Sequence, residues 1–274
     1  MTIKNLYPKA RPHIIYNVIN GRPELPAQAS FSRASIGTYV DRAGIIRTAA
    51  VDEPRFNYDP ETGEFLGLML EEEWTNLLRY SEEFNQNSAW NKYLGASIIP
   101  NATISPDGSQ TADKQVGGNE TNWFTCTQTP TVAVNGVYTG SIYAKAAGFR
   151  YLRVYDSMAT NQYFDLDTGN TPGMEDVGNG WYRCSWTVTA TGTGYIYRLY
   201  VTDNNTGAQP TGDGVKGVYI WGAQLEAGSF PTSYIPTSGS TVTREPDAFS
   251  LTSSSNFDNG FSFLLDSNTI TDDF

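Results

Sequence analysis

Between Trp90 and Ile235, short apolar runs recur at nearly even spacing, each separated from the next by Gly, Asn, Asp or Pro. The runs are WFTCTQ, GVYTGSIYAKA, RYLRVYD, NQYFDL, WYRCSWTVTA, YIYRLYV and GVYIWGAQLE. They are rich in β-branched and aromatic residues, which suit the pleated, half-buried surface of a strand. Their hydrophobicity alternates with the period of a strand, not of a helix. Seven or more such runs with turn residues between them predict an all-β sandwich or jelly roll. Composition agrees: aromatics make up 13% of the chain and charged residues only 17%, against roughly 25% charged in an average soluble domain.

The same sequence excludes several functions. The chain carries 18 basic and 29 acidic residues, a net charge of −11, whereas a nucleic-acid surface needs a basic stripe. Its one histidine, His13, rules out multi-His metal centres. His13 sits beside Pro12 in a proline-rich arm and reads as a docking residue rather than a catalytic base. Two cysteines make no disulfide framework. Cys184 alternates with apolar neighbours and is expected in the core, and a Cys126–Cys184 bridge would need adjacent strands. No phosphate-cradling or dinucleotide motif occurs. No apolar run is long enough to span a bilayer, and the polar stretch after Met1 is not a secretory signal. The 29 acids offer many pairs for glycoside hydrolysis, but no pattern selects one. A non-enzymatic protein without a cofactor is expected.

Four segments follow. Residues 1–30 carry prolines at 8, 12, 23 and 26 around the run HIIYNVI and read as a docking arm for another protein or subunit. Residues 31–75 form a small β unit, with turns at DRAG and DPETG. Residues 76–236 hold the sandwich, and 237–274 a linker and carboxy-terminal strands that pair with the amino-terminal ones or begin a further unit. The stretch EEEWTNLLRYSEEF, Glu71 to Phe84, reads as a short helix capped by Thr75.

Strand alternation also sorts faces. Leu152 and Val154 point to the core and leave Tyr151, Arg153 and Tyr155 outside. Tyr195, Tyr197, Leu199 and Val201 point inward and leave Arg198 and Tyr200 outside. Tyr143, Trp181 and Arg183 are likewise expected on outer faces. So much outward aromatic area, with guanidinium groups among it, has three readings. It is a platform on which sugar rings stack while Arg side chains bond hydroxyls; a protein–protein interface; or ordinary cross-strand pairing.

Longer runs carry a resemblance. FSRASIGTYVDRAGIIRTAAVDEPRFNYDPETGEFLGLMLEEEWTNLLRYSEEF, ISPDGSQTADKQV, GSIYAKA, VGNGWYRCSWTVTATG and TGDGVKGVYIWGAQLEAGSFPTSYIPTSGSTVTREPD are similar to tailed-bacteriophage virion proteins of the tail-fibre, spike and head-fibre kind. These carry a jelly roll like that of carbohydrate-binding modules, and the resemblance covers roughly residues 5–250. It implies an all-β fold, a jelly-roll β-sandwich with a smaller β unit built from the amino- and carboxy-terminal segments. It also implies a structural and adhesive virion component, made in the host cytoplasm, assembled as a homo-oligomer, typically a trimer, and contacting host-surface glycans. The alternatives are a head-decorating protein without glycan binding and a polysaccharide-degrading glycosidase. Jelly rolls of this kind often hold a structural calcium, for which Asp165, Asp167 and Asp213 are the candidates here. The competing reading is that these aspartates cap the backbone of their own turns.

Overall fold

Turn residues fall where hairpins need them. A computed structural model describes residues 17–19, 22–25, 29–155, 158 and 161–251. His13, with all of residues 1–16, and the FSFLLD run lie outside the described residues. Strands β1 (Asn17–Ile19) and β2 (Arg22–Glu24) pair with each other. β3 (Ala29–Ser32) is followed by the hairpin of β4 (Gly37–Val40) and β5 (Ile46–Ala49), turned by DRAG, and that of β6 (Arg55–Tyr58) and β7 (Phe65–Met69), turned by DPETG. In the second turn Asp59 Oδ1 accepts the amides of Glu61 and Thr62, and Gly63 closes it at φ 66°, a left-handed conformation that suits glycine.

The expected helix at 71–84 does not form, and among the described residues there is no helix at all. Trp74–Asn76 is strand β8 instead. The buried Asn76 side chain donates to the carbonyls of Ala223 and Ile235 and accepts from the amides of Leu78 and Leu225. The Leu77 and Ser81 amides bond Leu225 and Thr237, and Tyr80 turns at φ 53°. These long-range partners take the donors that a helix would use, so tertiary bonding overrides local propensity.

The sandwich follows. Its strands are β9 (Asn91–Tyr93), β10 (Ser97–Thr103), β11 (Ala112–Val116), β12 (Thr125–Gln128), β13 (Val137–Ala147), β14 (Tyr151–Tyr155), β15 (Asn161–Asp165), β16 (Met174–Asp176), β17 (Tyr182–Thr189), β18 (Tyr197–Thr202) and β19 (Gly217–Ala227). One sheet has the order β10-β11-β19-β13-β17-β16 and the facing sheet β15-β14-β18-β12-β9, antiparallel throughout. Strands β20 (Val242–Arg244) and β21 (Ala248–Leu251) return to pair with β8 and β3. The protein is therefore all-β, a jelly-roll sandwich with a smaller β layer made from both ends of the chain.

Between the sheets lie Phe84, Trp90, Phe124, Phe149, Phe164, Trp186, Tyr195 and Tyr197, with Leu152, Val154, Leu199 and Val201. Buried polar tips find partners: Trp186 Nε1 donates to the Tyr195 hydroxyl at 3.0 Å, and the Tyr197 hydroxyl to the Ser141 carbonyl at 2.7 Å. In β19 the register shifts between Ser141 and Tyr143, where two residues, Gly222 and Ala223, oppose one. Gly222 stands at φ 63° in this bulge. Before it Val218 and Ile220 face the core; after it Ala223 and Leu225 do.

A second core covers the outer face of the six-stranded sheet. It joins Ile46, Ala112, Tyr143, Val177, Trp181, Trp221 and Tyr234. A strap, residues 230–237, crosses this face, bonded by Arg183 to the Thr232 carbonyl, by Gln224 to Ser233 and Ile235, and by Glu226 to the Thr232 amide. Thr38 on β4 donates to the Tyr234 carbonyl from above. The smaller layer then closes on a buried ionic cluster. Arg33 and Arg55 pair with Asp247, and Arg55 and Arg244 pair with Glu71. All three arginines are at most 1% exposed.

Removing one member leaves buried charge uncompensated. Asp247→Ala is expected to cost about 3–5 kcal/mol, read as a lowered denaturant midpoint at unchanged slope. Burial alone would raise the Glu71 carboxyl, but Arg244 and Arg55, with Ser233, hold it below its ordinary 4.5. The unfolded chain therefore binds this proton more readily, and the contribution is complete above that ordinary value and lost as pH falls through the folded one. Glu71→Gln is expected to flatten the acid limb of stability against pH; an unchanged limb would show that Glu71 does not set it.

Candidate functional site

The outer face of the five-stranded sheet is the face that the strap and small layer leave open. Alternation in β14 sends Leu152 and Val154 inward and Tyr151, Arg153 and Tyr155 outward; β18 does the same with Arg198 and Tyr200. Register sets Tyr163, Arg153, Tyr200, Thr125 and Tyr93 in one row across all five strands. On the adjoining row Tyr155 pairs with Asn161, and Arg198 with Thr127, which pairs with Asn91. A third row holds Asp165, Tyr151 and Thr202.

Arg153 is the centre of this face. Its guanidinium carbon lies 4.5 Å from the Trp123 ring centroid, 4.9 Å from Tyr200, 5.1 Å from Tyr155 and 5.2 Å from Tyr163. Its Nε donates to Asn161 Oδ1 at 2.9 Å. Four ring faces and one amide thus fix a half-buried cation. Arg198 stands 5.9 Å from the Tyr155 ring and 6.0 Å from Tyr200, and its Nη1 donates to the Tyr200 hydroxyl. The rings meet edge-on, Trp123 to Tyr200 at 5.6 Å and Tyr155 to Tyr200 at 6.4 Å. Tyr200 and Tyr151 are largely covered by these neighbours, while Tyr155 is 40% and Tyr93 53% exposed. The face therefore presents one open ring, Tyr155, beside two immobilised guanidinium groups, and a second, Tyr93, on its β9 edge.

Five of the eight expected binding residues, Tyr151, Arg153, Tyr155, Arg198 and Tyr200, come together here. The other three, Tyr143, Trp181 and Arg183, do not. They belong to the opposite sheet, and the strap covers their outer face: Tyr143 is 5% and Trp181 3% exposed, and Arg183 bonds Thr232 and Ser141. They point away from the main core, as the alternation requires, but into a second core. Sequence reasoning missed Trp123, Tyr163, Asn161 and Tyr93. The first three lay in its reach, since Phe164 and Leu166 on one side of NQYFDL put Asn161 and Tyr163 on the other, and Trp123 shares parity with Thr125.

The calcium candidates do not form a site. Arg150 grips both oxygens of Asp165 at 2.9 and 2.6 Å and holds its carboxyl down to about 2. Asp167 Oδ2 stands 3.8 Å from Nε of the same guanidinium. Asp213 Oδ1 accepts the amides of Val215 and Lys216, a turn cap. Among the described residues no three His, Cys, Asp or Glu side chains converge. A nest of oxygens does exist in the loop before β9, made by the carbonyls of Phe84, Asn85 and Trp90 and by Asn87 Oδ1, and the Lys92 ammonium fills it. Cys126 and Cys184 are free and buried in facing sheets, with burial pushing the Cys126 thiol up to about 12. A cleft of about 490 Å³ opens beside Asn91, lined also by Arg79, Gln128 and Thr131. It has no aromatic wall, and the Gln128 amide is bonded both ways to the Arg79 backbone.

No protein-family model matches the chain, and no curated protein matches it. Among solved structures it is similar to the enzymatically active domain of bacteriophage CBA120 tailspike protein 4, with 13% identity over 55% of this chain and 21% of that one and a TM-score of 0.37. It is similar to TmCBM61, solved with β-1,4-galactotriose, with 16% identity over 56% of this chain and 99% of that one and a TM-score of 0.37. It is also similar to the CBM22-1 xylan-binding domain of Paenibacillus barcinonensis Xyn10C, with 16% identity over 57% of this chain and 96% of that one and a TM-score of 0.34. The match spans about a fifth of the tailspike domain. The fold assignment rests on the strand pairing itself.

The two groups of aromatics should separate in the test tube. Tyr143→Ala empties a packed layer and is expected to cost about 3–5 kcal/mol. Tyr155→Ala trims an exposed ring and is expected to cost less than about 1 kcal/mol. Thermal melts of the two variants check both values.

Proposed function

We propose that the protein is a non-enzymatic glycan-binding module that uses the outer face of its five-stranded sheet. The observation that carries this reading is the pairing of an open ring, Tyr155, with guanidinium groups already fixed by their neighbours. A sugar ring offers C–H faces that stack on such rings and hydroxyls that accept from Arg and Asn. Fixing the donors beforehand lowers the entropy lost on binding. The non-enzymatic part is supported by where the carboxyls with raised pKa values sit. Of the four, Asp113 accepts the amides of Phe84 and Asn101 and Glu226 accepts that of Thr232, both inside packed layers, while Glu82 accepts from the Tyr234 hydroxyl and Glu175 stands opposite Arg183. In the setting that the sequence resemblance implies, a tailed-phage fibre or spike, the module would contact the host surface.

A second reading is an interface between subunits, because Tyr, Trp and Arg are the residues enriched in buried contacts. One variant tests both. Tyr155→Ala is expected to weaken binding to glycans identified on an array by about five- to tenfold, since one aromatic contact is worth about 1 kcal/mol, with the oligomeric state unchanged. Unaltered glycan binding would overturn the proposed site, and dissociation of an oligomer would favour the interface.

A further inference from the structure

The glycan reading leaves the charge of the ligand open, and the surroundings of the two guanidinium groups bear on it. The chain has 29 acidic residues against 18 basic ones, so an arginine on its surface has acids in excess to choose from. Five arginines of the described residues use them: Arg33, Arg55 and Arg244 share Asp247 and Glu71, Arg47 takes Asp41, and Arg150 takes Asp165; Arg79 and Arg183 instead donate to backbone carbonyls. Arg153 and Arg198 also use no acid: neither makes an ion pair within the described residues. Arg153 spends its Nε on the neutral Asn161 and has no bond at either Nη among the described residues; Arg198 spends one Nη on a tyrosine hydroxyl. Among the described residues the acid in register on the neighbouring strand, Asp165, belongs to the third row and is held by Arg150.

The two unpaired cations also share their rings. Tyr155 lies 5.1 Å from the Arg153 guanidinium and 5.9 Å from that of Arg198, and Tyr200 lies 4.9 and 6.0 Å from the same two. A pyranose stacked on Tyr155 would thus lie close to both guanidinium groups. A planar carboxylate on such a ring matches the forked donors that Arg153 leaves free, and charge-assisted bonds of this kind are about twice as strong as neutral ones. An isolated positive face on a protein of net charge −11 also selects against unspecific capture of polyanions, which the remaining surface repels.

We infer that this face takes an acidic saccharide, a sugar ring bearing a carboxylate, with the ring on Tyr155 and the carboxylate between Arg153 and Arg198. The inference rests on the glycan reading of the same face and narrows it. The test uses the full chain and three uronate polymers, polygalacturonate, alginate and hyaluronan, each beside its carboxyl-reduced form, with dextran sulfate as a charge-only probe. Affinity electrophoresis or calorimetry at fixed salt reads the binding. At least one uronate polymer is expected to bind ten times or more tightly than its reduced form, and to weaken severalfold between 50 and 300 mM salt, because exposed charges are screened within about 10 Å. Arg198→Gln is expected to abolish the preference for the uronate while leaving the melting temperature in place, and Arg198→Lys to retain part of it. Equal binding to intact and reduced polymers, or binding to neutral glycans alone, overturns the acidic ligand and leaves the glycan site standing. Dextran sulfate binding as tightly, with no effect of Arg198→Gln, marks mere attraction of polyanions and overturns the inference as well. Failure of every intact, reduced and neutral glycan to bind overturns both readings together.

Discussion

The buried meeting of Arg33, Arg55 and Arg244 with Glu71 and Asp247 is the constraint on which the rest of the arrangement depends. These five residues come from both ends of the described chain and from the segment that enters the sandwich. None of them has a stable place alone, since an unpaired charge in a dry interior is expensive. Once they are together, β3 must lie beside β21, β8 beside β20, and the strap must pass beneath β4. The Ser233 hydroxyl, bonded to Glu71, ties the strap to the same point.

Fixing the strap decides which sheet can meet a ligand. The six-stranded sheet carries outward rings as well, but Tyr143, Trp181 and Trp221 serve to bind the strap and the hairpins above it. The five-stranded sheet has no such cover among the described residues, so its rings pack on one another edgewise and on Arg153. The difference between a second core and a binding face is therefore not written in either face's composition. It follows from which one the chain ends happen to cross.

This is also why the sequence is legible only in part. Period-two alternation found the strands, the inward set Leu152, Val154, Leu199 and Val201, and five residues of the open face, because those are local properties of a pleated chain. The DRAG and DPETG turns were readable for the same reason. What escaped depends on distant partners. Nothing near Tyr143 says that Tyr234 will cover it, and nothing near Thr75 says that Asn76 will be claimed by Ala223 and Ile235. The bulge at Gly222 hides in the same way, for it reverses the inward parity halfway along one strand.

The ladder of β3 and β21 has a consequence for how the molecule bears load. Ala29 pairs with Leu251 and Ser32 with Ala248, so the chain enters and leaves this body side by side. Tension applied through the two flanking segments falls on the first rung alone and then on the next, as in a zipper, not on all rungs at once as in shear. Such a ladder yields at low force. Immediately behind its last rung stand Arg33 and Asp247, where peeling would have to pull an ion pair out of a dry interior before anything further could open. The mechanical strength of the body would then lie at that one latch, four residues in from either edge.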